Sequence, residues 1–458
     1  MTTPAERYAA AKQRGKHPLT IEFIEQFDFG FDEFQIKACQ AVEDGKGVLV
    51  AAPTGAGKTV VGEFAAFSAL AQGKKCFYTT PIKALSNQKF QEFVERFGED
   101  RVGLLTGDTN INSEADVLVM TTEVLRNMLY ANSTTLKNLG SVVMDEVHYL
   151  ADKSRGAVWE EVLIHLMESV QVISLSATVS NAEEFGDWLG EVRGSTEVIV
   201  SEIRPIPLYQ HVLIGDRLVD LFREQGRINP EILGLEREAL RQVRTPRHRR
   251  ERFGDGDSRL TRPDIIEKLQ RENLLPAITF IFSRAGCDAA VKQCLAAGIK
   301  LTNTEERLEI AQTAARYTQN LAEEDLEVLG YRDWLIALER GIAAHHAGLL
   351  PMFKETIEEL FQRGLLKVVF ATETLALGIN MPARSVVLEK LVKWNGETHS
   401  TISPGEYTQL TGRAGRRGID VEGNALILWT EQIDSGMAAG LASTRTYPLR
   451  SSFSPTYN

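Results

Sequence analysis

From Phe34 onward the chain alternates short runs of β-branched and apolar residues with longer stretches whose apolar positions recur every three or four residues. Residues 47–52, 75–80, 117–121, 141–145 and 172–176 have the length and composition of buried strands. Between them, 60–72, 86–97 and 159–167 carry helical periodicity. Strand–helix–strand repetition predicts parallel strands joined by crossover helices, an open α/β sheet whose ligand edge lies at the carboxyl ends of its strands. Residues 203–209, with Pro205 and Pro207, read as an extended linker. A second alternation follows, with strand-like runs at 277–283, 366–371, 385–388 and 424–429 and helices around 285–295 and 351–361.

The pattern predicts an α/β protein of two tandem lobes, each a mostly parallel sheet flanked by helices. The expected division is a flexible N-terminus at 1–20, a first lobe at 21–203, a second at 204–440 and the start of a further region at 441–458. Two segments interrupt the second lobe. Residues 301–340 read as extra helices. Residues 222–264 contain RQVRTPRHRRER (241–252), with six arginines against one glutamate. This reads as a solvated, partly disordered insertion, with an RNA-contacting arm as the alternative. The final STRTYPLRSSFSPTYN stops on turn residues without completing an element, as a fragment of a longer protein would.

The candidate chemistry begins at GVLVAAPTGAGKT (47–59), a strand running into a glycine-rich loop and then a helix. This is the context a phosphate-binding loop requires. Pro53, Thr54, Gly55, Ala56, Gly57, Lys58 and Thr59 form it, with Ala52 where the usual pattern begins with glycine. Gly55 and Gly57 let backbone N–H groups curl round a phosphate, Lys58 adds a point charge, and the Thr59 hydroxyl can ligate Mg²⁺. In SVVMDEVHYL (141–150) an apolar strand delivers Asp145 and Glu146 at its carboxyl end. Asp145 suits a Mg²⁺-holding carboxylate and Glu146 the base that activates water, so ATP and Mg²⁺ are the expected ligands. His148 completes a D-E-x-H order that points to nucleic-acid-dependent ATPases.

The chain then shows, in order, APTGAGKT (52–59), PIKALSNQ (81–88), TGD (106–108), TTEVLRNML (121–129), DEVH (145–148), SAT (176–178), FSR (282–284), ATETLALGINMPAR (371–384) and QLTGRAGRRG (409–418). This set resembles the superfamily-two DExH-box helicases, and PIKALSNQKF, DEVHYLADKSRGAVWEEV and SLSATVSNAEEFGDWL resemble the superkiller-type RNA helicases among them. The resemblance runs from about Phe31 to the last residue. It implies two RecA-like lobes, ATP-driven RNA unwinding or remodelling with 3′-to-5′ polarity in RNA processing or decay, and a nuclease partner. Further winged-helix and helical domains would follow the sequence given.

Residue by residue, the resemblance makes Gln35 an adenine reader, places Gly378 near the ribose, and has Gln409 connect nucleotide and lobe interface. It makes Ser176 and Thr178 couple hydrolysis to lobe movement. Arg413 and Arg416, three apart and so on one face of a helix, are the expected arginine fingers. Pro81, Lys83, Thr106, Gly107, Thr121 and Thr122 all follow strands of the first lobe. With Ser283, Arg284 and Thr372 of the second they form an expected backbone-contacting track. Asn395–Gly396 signals a two-residue hairpin turn where this helicase group carries a strand-separating hairpin, with Lys393 and Trp394 near its tip. The same residues would serve a repair-type DNA helicase, or an RNA-dependent ATPase clamp or scaffold that unwinds nothing.

Composition bounds these readings. At 458 residues the chain has room for about two to four domains. Its net charge of −11 argues against a basic sheath over nucleic acid but not against a local basic groove. Four scattered cysteines without a CxxC pair favour free thiols. Without a membrane-length apolar run or a signal-peptide core, the expectation is a cytoplasmic monomer acting on single-stranded or overhanging RNA, with DNA also compatible.

Overall fold

The computed structural model describes residues 15–152, 155–223, 226–244, 260–376, 381–394, 398–431, 433, 435–443 and 448–451. The chain forms two compact units, Met1–Arg204 with Thr446–Asn458, and Pro205–Arg445.

Unit 1 runs α1 (Pro18–Ile24), α2 (Glu33–Glu43), β1 (Gly47–Ala51), α3 (Thr59–Ala71), β2 (Lys75–Thr80), α4 (Lys83–Phe97), β3 (Val102–Leu105), β4 (Asn110–Ile111), β5 (Val117–Thr121), α5 (Thr122–Tyr130), β6 (Leu139–Met144), α6 (Gly156–His165), β7 (Gln171–Ser176), α7 (Ala182–Arg193) and β8 (Thr196–Val200). The sheet order is β4-β3-β5-β2-β6-β7-β1-β8, parallel throughout except for the β3–β4 pair. Period-two alternation explains the two apolar layers. Along β1, Val48 and Val50 pack with Phe23, Phe64 and Tyr78 on one face. Leu49 and Ala51 pack with Phe77, Met120 and Trp159 on the other.

Unit 2 runs β9 (Leu208–Ile214), β10 (Arg217–Asp220), α8 (Pro230–Arg244), α9 (Arg262–Arg271), β11 (Ala277–Phe280), α10 (Arg284–Ala296), α11 (Thr304–Thr318), α12 (Glu323–Val328), α13 (Tyr331–Glu339), β12 (Ile342–His345), α14 (Pro351–Gln362), β13 (Val368–Ala371), β14 (Ser385–Leu388), β15 (Val392–Trp394), β16 (His399–Thr401), α15 (Pro404–Thr411), β17 (Gly423–Leu428) and α16 (Ser435–Ser443). Its sheet order is β10-β9-β17-β14-β11-β13-β12, with only β9–β10 antiparallel. The β15–β16 pair stands apart as its own ladder. Two parallel-dominated sheets flanked by helices are the tandem RecA-like architecture.

The linker reading of 203–209 needs correction. From Leu208 the chain is already β9, paired in parallel with β17, and the Pro207 carbonyl accepts from Gly423 N at 2.8 Å. Prolines that cannot donate to a ladder still fit ahead of a strand's first residue. The 222–264 segment is likewise not all solvated insertion. In α8, Ile232 is buried, and buried Glu236 accepts from Ser435 N at 2.7 Å and its Oγ at 3.1 Å. Of the arginine-rich stretch 241–252, residues 245–252 lie outside the described residues. The expected extra helices of 301–340 are α11–α13, whose Ile310, Ala314 and Leu338 join the main core of unit 2.

Candidate functional site

The loop between β1 and α3 follows from its glycines. Gly55 and Gly57 have φ of +81° and +84°, backbone that side chains disfavour, and a Cβ added at Gly55 would meet only open space. Within the loop, Ala56 N donates to Pro53 O at 3.1 Å. Lys58 folds back over it, donating to the carbonyls of Ala52 at 2.8 Å and Pro53 at 3.0 Å. Gln35 braces the loop from behind. Its Oε1 accepts from Asp32 N at 2.8 Å and its Nε2 donates to Gly57 O at 2.9 Å, with the side chain fully buried. The side-chain amide to which the resemblance gave an adenine-reading role thus holds the glycine-rich loop.

At the end of β6, Asp145 is buried between two donors. Tyr78 OH donates to Oδ2 at 2.7 Å and Glu146 N to Oδ1 at 2.9 Å. Burial, and then the neighbouring Glu146 charge, push its pKa up to about 6, while Lys89, Tyr78 and Lys58 pull it down. Glu146 has left-handed backbone, φ +52°, which turns the chain sharply into the 147–151 turn. His148 is buried and held neutral, its pKa driven down to about 3 by burial and next by Lys58. Its Nδ1 lies 3.3 Å from Ala177 N and 3.2 Å from Glu146 Oε2. One ring nitrogen cannot serve both. Unprotonated, Nδ1 accepts from Ala177; protonated, it donates to Glu146. The imidazole thus lies between the candidate base and the Ser176–Ala177–Thr178 segment. Ser176 and Thr178 are themselves buried, and the Ser176 carbonyl accepts from Ala52 N at 3.2 Å.

The Thr59 hydroxyl and Asp145 carboxylate are hard oxygen donors, a set that fits Mg²⁺ bound together with phosphate oxygens. Two residues here escaped the sequence reading. Tyr78 looks like one more apolar strand residue, and nothing in the sequence distinguishes its hydroxyl. Lys89 did leave a signal, because it falls on the buried stripe of α4 between Leu85 and Phe93. Its Nζ reaches Thr59 Oγ1 at 3.4 Å and pairs with Glu92.

Strand order divides the carboxyl edge of unit 1. The loops after β6, β7 and β1 carry the nucleotide candidates. Those after β3, β5 and β2, which are adjacent in the sheet, carry Thr106–Gly107, Thr121–Thr122 and Pro81–Lys83. Lys83 Nζ donates to Asp108 Oδ2 at 2.7 Å, and Thr106 Oγ1 to Asp108 Oδ1 at 3.1 Å, joining two of these loops. Lys83 and Gly107 are exposed, and Thr121 precedes α5 as its N-cap residue. Thr122 is different. Its side chain is fully buried and donates to Thr80 O at 3.3 Å, so its hydroxyl faces inward. Pro81 is also buried.

In unit 2, Ser283 caps α10 by accepting from Gly286 N at 3.2 Å, and Arg284 beside it is exposed. Thr372 follows the neighbouring strand β13, with Oγ1 2.9 Å from Thr374 Oγ1. Gln409 lies in α15, but Arg413 and Arg416 do not share a helix as their spacing suggested. Helix α15 ends at Thr411, and Ala383 N bonds Arg413 O at 2.8 Å as the chain turns away. Arg413 donates to Ala376 O, and Arg416 forms a two-pronged pair with buried Asp420 at 2.8 and 2.9 Å. Lys393 and Trp394 are the last residues of β15, with the Lys393 side chain turned inward onto Glu373 and Glu406 and Trp394 56% exposed. Gly378 and the Asn395–Gly396 turn lie outside the described residues.

Comparison with known proteins meets this geometry at both units. Residues 32–185 match the DEAD/DEAH box helicase family and residues 297–418 the helicase conserved C-terminal domain. The chain carries a DEAD/DEAH box helicase domain and a helicase conserved C-terminal domain. It is 60% identical over 447 residues to the probable helicase HelY of Mycobacterium tuberculosis, covering 95% of this chain and 49% of that protein. It is 42% identical to the chloroplastic DExH-box ATP-dependent RNA helicase DExH15 of Arabidopsis thaliana, covering 95% of this chain and 40% of that one. To the exosome RNA helicase MTR4 of Homo sapiens it is 38% identical, covering 96% and 42%. The chain thus spans half or less of the length of these relatives. No helix among the described residues is long and apolar enough to cross a membrane.

Proposed function

We propose that the chain is the ATP-hydrolysing core of a helicase that moves 3′ to 5′ on RNA, in RNA processing or decay. The observation that carries the ATPase part is the edge formed by β1, β6 and β7. It gathers the glycine-rich loop with Gly55 and Gly57 in left-handed backbone, two hard oxygen donors, and a carboxylate linked through His148 to Ser176–Thr178. Lys58 would exchange its loop carbonyls for the β/γ-phosphates, and Thr59 and Asp145 would hold Mg²⁺, which would supply positive charge against phosphate. Glu146 orients the attacking water and takes its proton. Arg413 and Arg416 are the cations offered to the transferring phosphoryl group. Arg413 first gives up the Ala376 carbonyl, whereas Arg416 keeps its pair with buried Asp420.

The names of two relatives as RNA helicases, one of them of the exosome, support RNA as the substrate and decay as the setting. The adjacent loops after β3, β5 and β2 offer hydroxyls, amides and one lysine, which suit a phosphodiester backbone without base readout. The test is steady-state Mg-ATP hydrolysis alone, with single-stranded RNA and with single-stranded DNA. RNA should stimulate turnover most, and Glu146→Gln should abolish it while nucleotide still binds. Turnover indifferent to either nucleic acid would refute the motor, and stronger stimulation by DNA would refute the RNA assignment.

A further inference from the structure

The β15–β16 ladder has three residue pairs and joins neither large sheet. A two-stranded ladder of that size is marginal by itself, so something must fix its attitude. Buried Leu391 and Ile402 close its base, Ile402 N donating to Leu391 O at 2.9 Å. That contact pins where the ladder starts but not which way its faces turn. Successive side chains on a strand point to opposite faces, so Lys393 and Trp394 diverge. Trp394 pairs with His399, ring centroids 5.2 Å apart, on the exposed face. Lys393 turns inward, with 19% of its side chain exposed. Its Nζ meets Glu373 Oε2 at 2.7 Å and Glu406 Oε1 at 2.5 Å.

These carboxylates come from distant parts of the sequence. Glu373 follows β13 directly after Thr372, and Glu406 lies in the first turn of α15, the helix that bears Gln409. Glu406 is itself fixed. Its Oε2 accepts from Ser403 N at 2.7 Å and Ser403 Oγ at 2.8 Å, which leaves Oε1 for the lysine. An ammonium between two carboxylates, one already locked in a helix cap, has little freedom to wander.

We infer that Lys393 is a positioning residue that clamps the β15–β16 ladder to the Thr372–Glu373 turn and to α15, and so fixes the exposed Trp394–His399 face toward nucleic acid. The clamp stands on this geometry alone; the role of the exposed face rests on the helicase reading. A displacement of the Thr372 turn reaches the ladder through the Lys393 side chain, and one of α15 through that side chain as well as through the chain between β16 and α15. Replacing Lys393 with a neutral residue of similar length keeps the apolar stem and removes only the clamp.

Hydrogen exchange on the chain tests both parts. In Lys393→Met the amides of 392–394 and 399–401 should exchange roughly ten- to a hundredfold faster, as loss of charged hydrogen bonds implies. Exchange in β14 and β17 and the melting temperature should stay at parental values, and Lys393→Arg should restore protection. Single-stranded RNA should slow exchange across the ladder in the parent and in Lys393→Arg, but not in Lys393→Met. Unchanged ladder exchange in Lys393→Met would overturn the clamp. So would faster exchange spreading through β14 and β17 with a lowered melting temperature, which would make Lys393 a general packing residue. If RNA leaves the parent's ladder unaffected while the Lys393→Met effect persists, the nucleic-acid reading of the face fails and the clamp stands.

Discussion

Replacing Tyr78 with phenylalanine isolates one buried oxygen next to Asp145, the carboxylate proposed to hold Mg²⁺. Tyr78 and Asp145 are both buried, and their contact is 2.7 Å. Phenylalanine keeps the ring, which packs edge-on against Phe93 at 5.1 Å, so no sizeable cavity opens. What disappears is a donor to a carboxylate, worth about 1.5–3 kcal/mol for hydrogen bonds to charged groups. Asp145 can take that loss as instability, or escape it by holding a proton. Each pKa unit corresponds to about 1.4 kcal/mol, so the second route moves its pKa upward by about one to two units.

The sign follows from the starting point. With Asp145 near 6, the parent carboxylate is mostly ionised at pH 7 and loses charge as the pH falls through 6. Because Mg²⁺ needs the ionised form, Mg²⁺-dependent nucleotide affinity should weaken below about pH 6 in the parent, approaching tenfold per unit. In Tyr78→Phe the same decline should begin at or above pH 7. Because the folded pKa lies above that of the free side chain, this group's contribution to folding stability falls between about pH 4 and 6 as the pH rises. Fluorescent ATP titrations with Mg²⁺ and with chelator, from pH 5 to 8, separate the metal-dependent part. Identical pH midpoints and unchanged denaturant stability in parent and Tyr78→Phe would refute the assigned role of this hydrogen bond.

Other contacts carry their own expectations. Asp108→Asn should release Lys83 and tighten single-stranded RNA binding, whereas Lys83→Ala should flatten the salt dependence by about 0.7 in log–log slope, the share of one single-strand phosphate contact. Equal affinities for the Asp108→Asn variant and its parent at low salt would show that the pair is not a competitor for phosphate. Arg413→Ala and Arg416→Ala should each lower RNA-stimulated turnover by up to about 10³–10⁵, as for known arginine fingers, with RNA affinity in the absence of nucleotide little changed. Full turnover in either variant would leave that arginine a structural residue. Asn181→Ala should release the returning segment, because Asn181 bonds Leu449 O at 2.8 Å and Leu449 N at 2.7 Å and buried Leu449 packs into the core of unit 1. Limited proteolysis should then cut near 449 faster, and unchanged cleavage would contradict this anchoring.

The sequence was legible wherever a local rule was sufficient. Buried parallel strands are continuous apolar runs, so β1, β2, β5, β6 and β7 stood out, as did the glycine-rich loop between β1 and α3. Val102–Leu105 did not, because Gly103 interrupts a run of only four residues. The glycine is there because a Cβ would come within 2.2 Å of Asn112 O. Strand β9 was hidden behind two prolines that read as a linker. For the candidate site, spacing gave residue types but not side-chain directions. Lys393 and Trp394 are neighbours in sequence and face opposite ways, while Arg413 and Arg416 have helical spacing in a segment where the helix has already ended.

The side chains also explain how a chain of net charge −11 can present cations to a polyanion. Lys83 is held by Asp108, Arg416 by Asp420, and Lys393 by Glu373 and Glu406. Pairing of this kind costs little when exposed and fixes a flexible side chain in one place. It also imposes a choice. A phosphate displacing Asp108 inherits a lysine already in position but leaves a carboxylate to be solvated. Asp108 is open to water and can make that exchange readily. Asp420 is buried beneath Arg416 and cannot be left alone without expense. Lys83 is therefore suited to contacts that form and break along a moving strand. Arg416 is suited to keeping Asp420 on one side while offering its remaining donor edge to phosphate, so Asp420→Asn should impair turnover rather than free a more active arginine. Faster hydrolysis in that variant would mean that the pair restrains Arg416 instead of aiming it.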